Sequence, residues 1–433
     1  MNNKNKSSSK QSLSFVYSIL LKPCLAISLS TLAFSVNAEL FEKVVASSVK
    51  EALEKGEAHI DFRLRYEDVN KANQGAQALT LRSRFGFETL NYELFTAFVE
   101  LDDVRAIPND ANYNSGANGQ FDDVLVEDPE GTELNQAWLA YDLVNTLIKF
   151  GRQTISLNNE RLLGGDSWRQ NEQTFSALSI QNETLNYTRV EFAQLNEVQT
   201  NQDKSLDSAS QDINAKLLNL NYRGFWLSDL SLYALWISDH PDQRQWETST
   251  YGINLTGKLG GDFSVAYLLD FAQQEDAGAN PSSYSVGYSL IDLLFAYQGV
   301  QIKTGYERLG ASKNGYFVTP LGSLHEFQGA SDQFANNGLG NVQSGVQDRY
   351  IGLGYEMELS LCQEKIPLTV FANYHDYDVD TGVNNMSHLG EEWVIKANLE
   401  TEDYQILLQF SDYHADQFSQ DDRRLWLSLG MSF

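Results

Sequence analysis

The chain has 433 residues with 58 acidic and 31 basic side chains, a formal net charge of −27, and two cysteines. That charge excludes nucleic acid as a partner, because phosphate binding needs a basic surface. The cysteine count excludes a disulfide framework and a cysteine-built metal cluster, and nothing in the composition calls for a metal or another cofactor.

Lys4, Lys6, Lys10 and Lys22 form a basic lead with no acid before Glu39. An apolar run from Leu25 to Val36 follows and ends in Val36-Asn37-Ala38, small residues placed as a signal peptidase needs them. This predicts a secretory signal peptide over residues 1–38, cleaved after Ala38. The run is too short for a membrane anchor. Cys24 follows Lys22-Pro23, not the small apolar residues of a lipid-attachment site. Beyond Ala38 no stretch reaches 18 apolar residues, so no transmembrane helix is expected.

Residues 39–57 have helical spacing, with Leu40, Phe41, Val44, Val45 and Val49 on one face. They predict a short periplasmic or plug-like helix. From Ala58 the period changes to two. Phe62, Leu64 and Tyr66 alternate with Arg63, Arg65 and Glu67; Leu81, Phe85 and Phe87 alternate with Arg82, Arg84 and Glu88. A period of two is a strand with one apolar and one polar face. The texture predicts strands at 58–68, 77–90, 92–105, 132–144, 146–156, 173–181, 183–199, 213–225, 228–238, 247–258, 262–273, 282–295, 299–309, 347–359, 367–377, 389–400, 403–412 and 421–433. Most have the length that a tilted strand needs to cross a bilayer. Links alternate between short ones and long ones at 106–131, 157–172 and 310–346. The prolines beyond residue 38 fall in loops or at strand starts. The last strand is apolar at every second position and ends on Phe433, which fits a signal for outer-membrane assembly machinery.

Strands in lipid must satisfy every N–H and C=O group among themselves, so the sheet must close. The fold class expected for 58–433 is therefore all-β: a transmembrane antiparallel up-and-down β-barrel of about 18 strands, preceded by a short N-terminal helix. Aromatic residues, 12% of the chain, suit its two interfaces with water. A barrel this wide holds water in its lumen.

A charge facing lipid near the midplane costs about 2–4 kcal/mol, so Arg63, Arg65, Arg82 and Arg84 are placed inward. Glu100 and Asp102 join them by alternation, with Arg105 at that strand's end and Arg152 further along. These residues are the pore-lining candidates, a basic ladder beside an acidic one that would select solutes by charge. The plainer role for each is a salt bridge that braces the wall. The 157–172 link carries Arg161, Trp168, Arg169, Gln170, Asn171 and Glu172, a run dense in hydrogen-bonding groups. It is the expected constriction loop; the link at 310–346 is a second candidate. None of the six histidines, His59, His240, His325, His375, His388 and His414, lies in a catalytic motif, and no catalytic residues or enzyme activity are expected.

Several stretches resemble the alginate export family of outer-membrane proteins. They are Phe62-Arg63-Leu64-Arg65-Tyr66-Glu67, Leu81-Arg82-Ser83-Arg84-Phe85-Gly86-Phe87-Glu88, Val99-Glu100-Leu101-Asp102-Asp103-Val104-Arg105, Gly131-Thr132-Glu133-Leu134-Asn135-Gln136-Ala137, Phe150-Gly151-Arg152-Gln153, Trp168-Arg169-Gln170-Asn171-Glu172-Gln173-Thr174-Phe175 and Thr319 through Gly329. The resemblance implies an 18-stranded monomeric barrel with a charged, loop-gated pore. The expected function is a porin-like channel of the cell outer membrane for small or oligomeric hydrophilic solutes, anionic ones included, such as carbohydrates or organic acids. Its partners would be outer-membrane lipids and lipopolysaccharide, the barrel assembly machinery and the solute. A dedicated exporter of alginate or another acidic polysaccharide is the alternative, and a barrel-embedded enzyme or an adhesin barrel is an alternative of another class. The 19-residue lead is too short for the plug of a TonB-dependent receptor.

Overall fold

The computed structural model describes residues 45–107, 112–238, 243–335, 338–361, 364–381, 386–401 and 403–433. The signal peptide expected over 1–38 and the first part of the helix expected over 39–57 lie outside them.

Eighteen strands follow one another: β1 Glu57–Lys71, β2 Gln74–Glu88, β3 Phe95–Ala106, β4 Gly131–Leu143, β5 Thr146–Gln153, β6 Thr174–Asn182, β7 Thr188–Gln199, β8 Ser210–Tyr222, β9 Ser228–Ser238, β10 Thr248–Gly260, β11 Phe263–Asp276, β12 Ser285–Tyr297, β13 Val300–Leu309, β14 Val346–Leu361, β15 Glu364–Val379, β16 His388–Glu400, β17 Tyr404–Ala415 and β18 Asp422–Ser432. Each strand lies beside its chain neighbour in one sheet, and β1 closes it by pairing antiparallel with β18, Leu64 opposite Leu429 and Tyr66 opposite Leu427. All the expected strands are present, with ends shifted by a few residues. Phe433 extends the seam, exchanging backbone hydrogen bonds with Ile60 at 2.8 and 3.1 Å. Val45–Glu358 and Ile366–Phe433 form one compact unit. A second unit takes in Leu359–Lys365, where β14 ends and β15 begins.

Closure leaves one face of each strand outside. Phe85, Val99, Leu101, Leu139, Phe150, Ile253, Phe271, Ile302, Ile351, Leu353, Trp393, Ile395 and Leu408 all stand exposed there, on strands all round the barrel. So large an exposed apolar surface is tolerated only against lipid. No helix among the described residues is long and apolar enough to cross a membrane. The N-terminal helix α1, Val49–Glu54, is shorter than its sequence spacing suggests. Ser48 Oγ accepts from Glu51 N at 3.2 Å and the Glu51 carboxylate accepts from Ser47 N at 2.8 Å, which fixes the helix start. Upstream of it, Val45 forms a bridge with Asn91 instead.

Both termini of the barrel lie at the end with short turns. One of these, Gln298-Gly299, needs its glycine: φ is +83°, and a Cβ there would stand 2.6 Å from Glu356 O. The opposite end carries the long loops, and these turn inward. In the β5–β6 loop, Leu157, Leu162 and Leu163 are buried; in the β13–β14 loop, Phe317, Val318, Leu321 and Leu339 are buried. They form one apolar core with Phe175, Leu195, Leu217, Leu235, Tyr288 and Leu309 of the inner wall. The two loops also join by backbone: Gly164 N donates to Leu321 O at 2.9 Å. The β3–β4 loop adds a smaller core, Tyr113 and Val126 against Val69, Ala76, Ala78 and Ala106. The infolded loops are thus packed parts of the lumen.

Candidate functional site

Strand parity puts Arg63 and Arg65 of β1, Arg82 and Arg84 of β2, and Glu100 and Asp102 of β3 on the inner face, as expected. The β5–β6 loop covers them. Arg84 makes two bonds to Asp102, at 2.6 and 2.7 Å, and reaches Glu172 in the loop at 3.2 Å. The Asn135 amide donates to Glu100 at 2.7 Å and to Glu172 at 2.6 Å. Arg63 donates to Gln170 Oε1 and Ser167 O, both at 2.9 Å, and also to Arg169 O. Arg65 donates to Trp168 O and pairs with Glu67 and Asp128. Arg82 pairs with Asp61. Arg65 and Arg82 are only 2% and 6% exposed, so much of the basic ladder is sealed behind the loop, and all of it but Arg63 is paired with carboxylates.

The rest of the predicted constriction segment is pinned too. Gln170 donates to Thr80 Oγ1 at 2.9 Å through its amide and to Asp128 Oδ1 at 3.1 Å through its backbone N–H. Asn171 is buried. Trp168 is sandwiched, with the Arg65 guanidinium 4.3 Å from its ring centre and His325 stacked at 3.9 Å. Arg169 bridges Glu67 at 3.2 Å and Asp332 at 3.3 Å. Arg161 is 1% exposed and pairs with Glu307 of β13 at 2.9 Å, so it braces the loop from behind. His325 Nδ1 lies 2.9 Å from Asp332 and its Nε2 lies 3.2 Å from the Gln409 amide. Trp168, His325, Asp332 and Arg169 therefore clasp the β5–β6 and β13–β14 loops together across the lumen.

Electrostatics follow from this crowding. Burial opposes the Arg169 charge, yet Glu67, Asp128 and Asp332 hold its pKa above the usual value. Burial pushes the His325 ring below its ordinary pKa despite Asp332. Burial would raise Asp332, but His325 and Arg169 hold it well below the carboxylate range. Asp166, which makes no ion pair, is pushed up to about 7 by burial; the nearby Arg169 charge opposes the rise, and Asp332 and Glu127 add to it.

Two pore-lining expectations are corrected. Arg105 has the parity of Val99 and Leu101 on β3, whose side chains stand exposed, and pairs with Asp103 at 2.6 Å on the outer rim. Arg152 has the parity of the exposed Phe150, and the β4–β5 register pairs Leu139 with Phe150 and Ala137 with Arg152. Paired residues share a face, so Arg152 points outward and donates to Leu134 O at 2.9 Å.

The open part of the lumen lies elsewhere. A cavity of about 900 Å³ is roofed by Trp168 and by His325 to Ala330, and walled by inward residues of β10 to β17. Its charged groups include Lys303, 3.1 Å from Asp292, and Lys396, which has no ion-pair partner among the described residues. Asn373, Asn398, Tyr350 and His375 share this wall; His375 is buried and lies 2.9 Å from Asp348. Lys303, Lys396, Asn373 and Asn398 carry no motif that marks them in the sequence, although Lys396 alternates with the outward Ile395. No group of His, Cys, Asp and Glu among the described residues is arranged to hold a metal ion.

A closed barrel of eighteen antiparallel strands, lipid-facing outside and narrowed by infolded loops, is the architecture of outer-membrane channels. The alginate export family matches residues 46–297, and the chain belongs to that family. No curated protein matches the sequence. Among solved structures, the chain is similar to Pseudomonas aeruginosa OpdO, with a TM-score of 0.67 at 13% identity over 89% of this chain and 98% of that one. It is also similar to P. aeruginosa OpdK solved with vanillate (TM-score 0.66, 12% identity, 88% and 99% covered). A third is P. aeruginosa OccK2 (OpdF) in complex with glucuronate (TM-score 0.64, 15% identity, 88% and 99% covered).

Proposed function

We propose that this protein is a passive outer-membrane channel for small hydrophilic solutes of about monosaccharide or organic-acid size, and not an enzyme. One observation carries the reading: a wide closed barrel whose lumen is narrowed, not filled, by loops held through buried ion pairs, above a cavity of about 900 Å³. An adhesin or purely structural barrel has no need of a charged inner wall around a solvent-sized cavity. The neighbours solved with vanillate and with glucuronate are consistent with a solute of that size. A dedicated polyanion exporter would need arginines open to the path, and here Arg65, Arg82, Arg161 and Arg169 are buried and paired. The basic lead of residues 1–38 supports export by a cleaved signal peptide, and Phe433 supports recognition by the assembly machinery. The barrel acts as a monomer among lipids and lipopolysaccharide.

The test is liposome swelling with purified protein. Swelling in a hexose but not in a long oligosaccharide is expected. Equal rates with empty liposomes would rule out a channel, and hydrolysis of lipid or peptide would point to an enzyme.

A further inference from the structure

Three aromatic rings line the cavity between β10 and β17, and each lies on glycine. Tyr267 of β11 covers Gly257, Tyr350 of β14 covers Gly305, and Phe371 of β15 covers both Gly352 and Gly354. A Cβ on Gly352 would stand 2.6 Å from Phe371 Cε1, and one on Gly305 would collide with the Tyr350 ring. The glycines let these rings lie close against the wall, so that they take little of the lumen and present it with a flat apolar surface. The Tyr350 hydroxyl is anchored on Asp292 at 2.7 Å. Phe371 is half-buried, and no other ring or cation stands over it among the described residues. Register sets the rings side by side. Tyr267 pairs with Leu293, Leu293 with Thr304 and Thr304 with Ile351, so Tyr267 and Tyr350 stand within one residue of the same row across the sheet. Trp168 in the roof offers no such face, since Arg65 and His325 occupy both of its sides.

Hydrogen-bonding groups border the rings. Lys396 is the cross-strand partner of Phe371. Asn373 and Asn398 line the same wall, and the Oδ1 of each finds no donor among the described residues. In the roof, Gln328 is only 7% exposed and its Nε2 finds no acceptor among the described residues. The wall thus carries polar capacity that the protein itself does not use. Its charges, by contrast, mostly cancel in place: Lys303 meets Asp292, His375 meets Asp348, and Arg161 meets Glu307. Lys396 and Glu326 are left without an ion-pair partner among the described residues, one of each sign. Ring faces and hydrogen bonds, not net charge, are what the cavity presents to a solute.

We infer that this cavity is a binding site for neutral pyranose sugars, with the sugar ring laid on Phe371 and Tyr350 and its hydroxyls reaching Asn373, Asn398 and Lys396. A pyranose has the two features that the wall matches, an apolar face of C–H groups and a rim of hydroxyls. Aromatic surface with a few placed polar groups is the usual make-up of a small-ligand site, and the cavity volume of about 900 Å³ falls within the range of such sites. The inference deepens the channel reading above by naming its solute class. A ring seated on a cross-strand glycine also steadies a sheet, and the experiment separates that role from binding.

The test is saturation-transfer NMR of the full-length protein in detergent micelles, titrated with glucose, galactose and mannose, and with sorbitol as a polyol that has the hydroxyls but no ring. At least one hexose should bind more tightly than sorbitol, with transfer strongest to the C–H protons of one ring face. Phe371→Ala should weaken that binding about ten-fold or more, Phe371→Tyr should keep most of it, and Lys396→Met should weaken it several-fold. Heat-modifiable migration checks that each variant is folded. If no hexose binds better than sorbitol, or if folded Phe371→Ala loses thermal stability but keeps the wild-type affinity, the rings only brace the sheet and the site is overturned, while a channel that still conducts stands. Hexose binding by folded protein that passes no current would keep the site and remove the channel instead.

Discussion

Arg84 on the barrel wall grips Asp102 with two bonds and Glu172 with a third at 3.2 Å, and so fixes the constriction loop to the sheet. Breaking such a buried pair by removing one partner costs about 3–5 kcal/mol, because the acids left behind remain buried and uncompensated. Arg84→Gln should therefore loosen the β5–β6 loop. Single-channel records should show larger and noisier openings than wild type; unchanged current noise would mean that the loop is held elsewhere.

The Trp168 sandwich makes a second, separable prediction. Trp168→Ala removes the cation–π contact with Arg65 and the stack on His325, together about 1–2 kcal/mol or more in so dry a place. The clasp between the β5–β6 and β13–β14 loops should weaken and mean conductance should rise. Trp168→Phe should restore much of the wild-type value, since a ring remains between its two partners.

Within the loops, Leu163 is fully buried in the shared apolar core and its neighbour Gly164 is bonded to Leu321. Leu163→Ala should cost about 2–5 kcal/mol of local stability. Limited proteolysis of the folded barrel should cut the β5–β6 loop in this variant and spare it in wild type.

The pH dependence has a definite sign. Asp166 has its pKa raised to about 7, so it is protonated below that value and charged above it. Glu127 is shifted in the same direction, chiefly by burial. The charge that Asp166 gains above about 7 should raise the share of current carried by cations, and the rise should shrink in Asp166→Asn. A cation share that falls over this interval, or a rise that survives Asp166→Asn unchanged, would mean that a different group titrates along the path.

Arg105 supplies a control. It sits on the outer rim beside Asp103, so Arg105→Ala should leave the reversal potential unchanged. A clear shift would return this residue to the conducting path.

The strands were legible in the sequence because a single rule, one apolar and one polar face, repeats through β1 to β18. The inward placement of Arg63, Arg65, Arg82 and Arg84 followed from the same rule and the cost of charge in lipid. Arg105 and Arg152 were misplaced by ignoring it, since each alternates out of phase with its strand's inward side chains. The packing of the loops was not legible. Leu157, Leu162, Leu163, Phe317 and Leu321 have no period, and what buries them is the wall that closure creates. Nor could residue type alone tell which inward charges would be matched. Arg161 finds Glu307 and Arg169 finds Asp332 across more than a hundred residues of chain, whereas Lys396 and Glu127 find no ion-pair partner among the described residues.

The central claim is an open passage through a barrel narrowed by pinned loops, and single-channel recording of the purified protein in planar bilayers tests it most directly. Discrete, long-lived openings of small conductance are predicted, as expected of a lumen partly occupied by fixed loops. Folded, inserted protein that passes no current would contradict it and make this a sealed barrel.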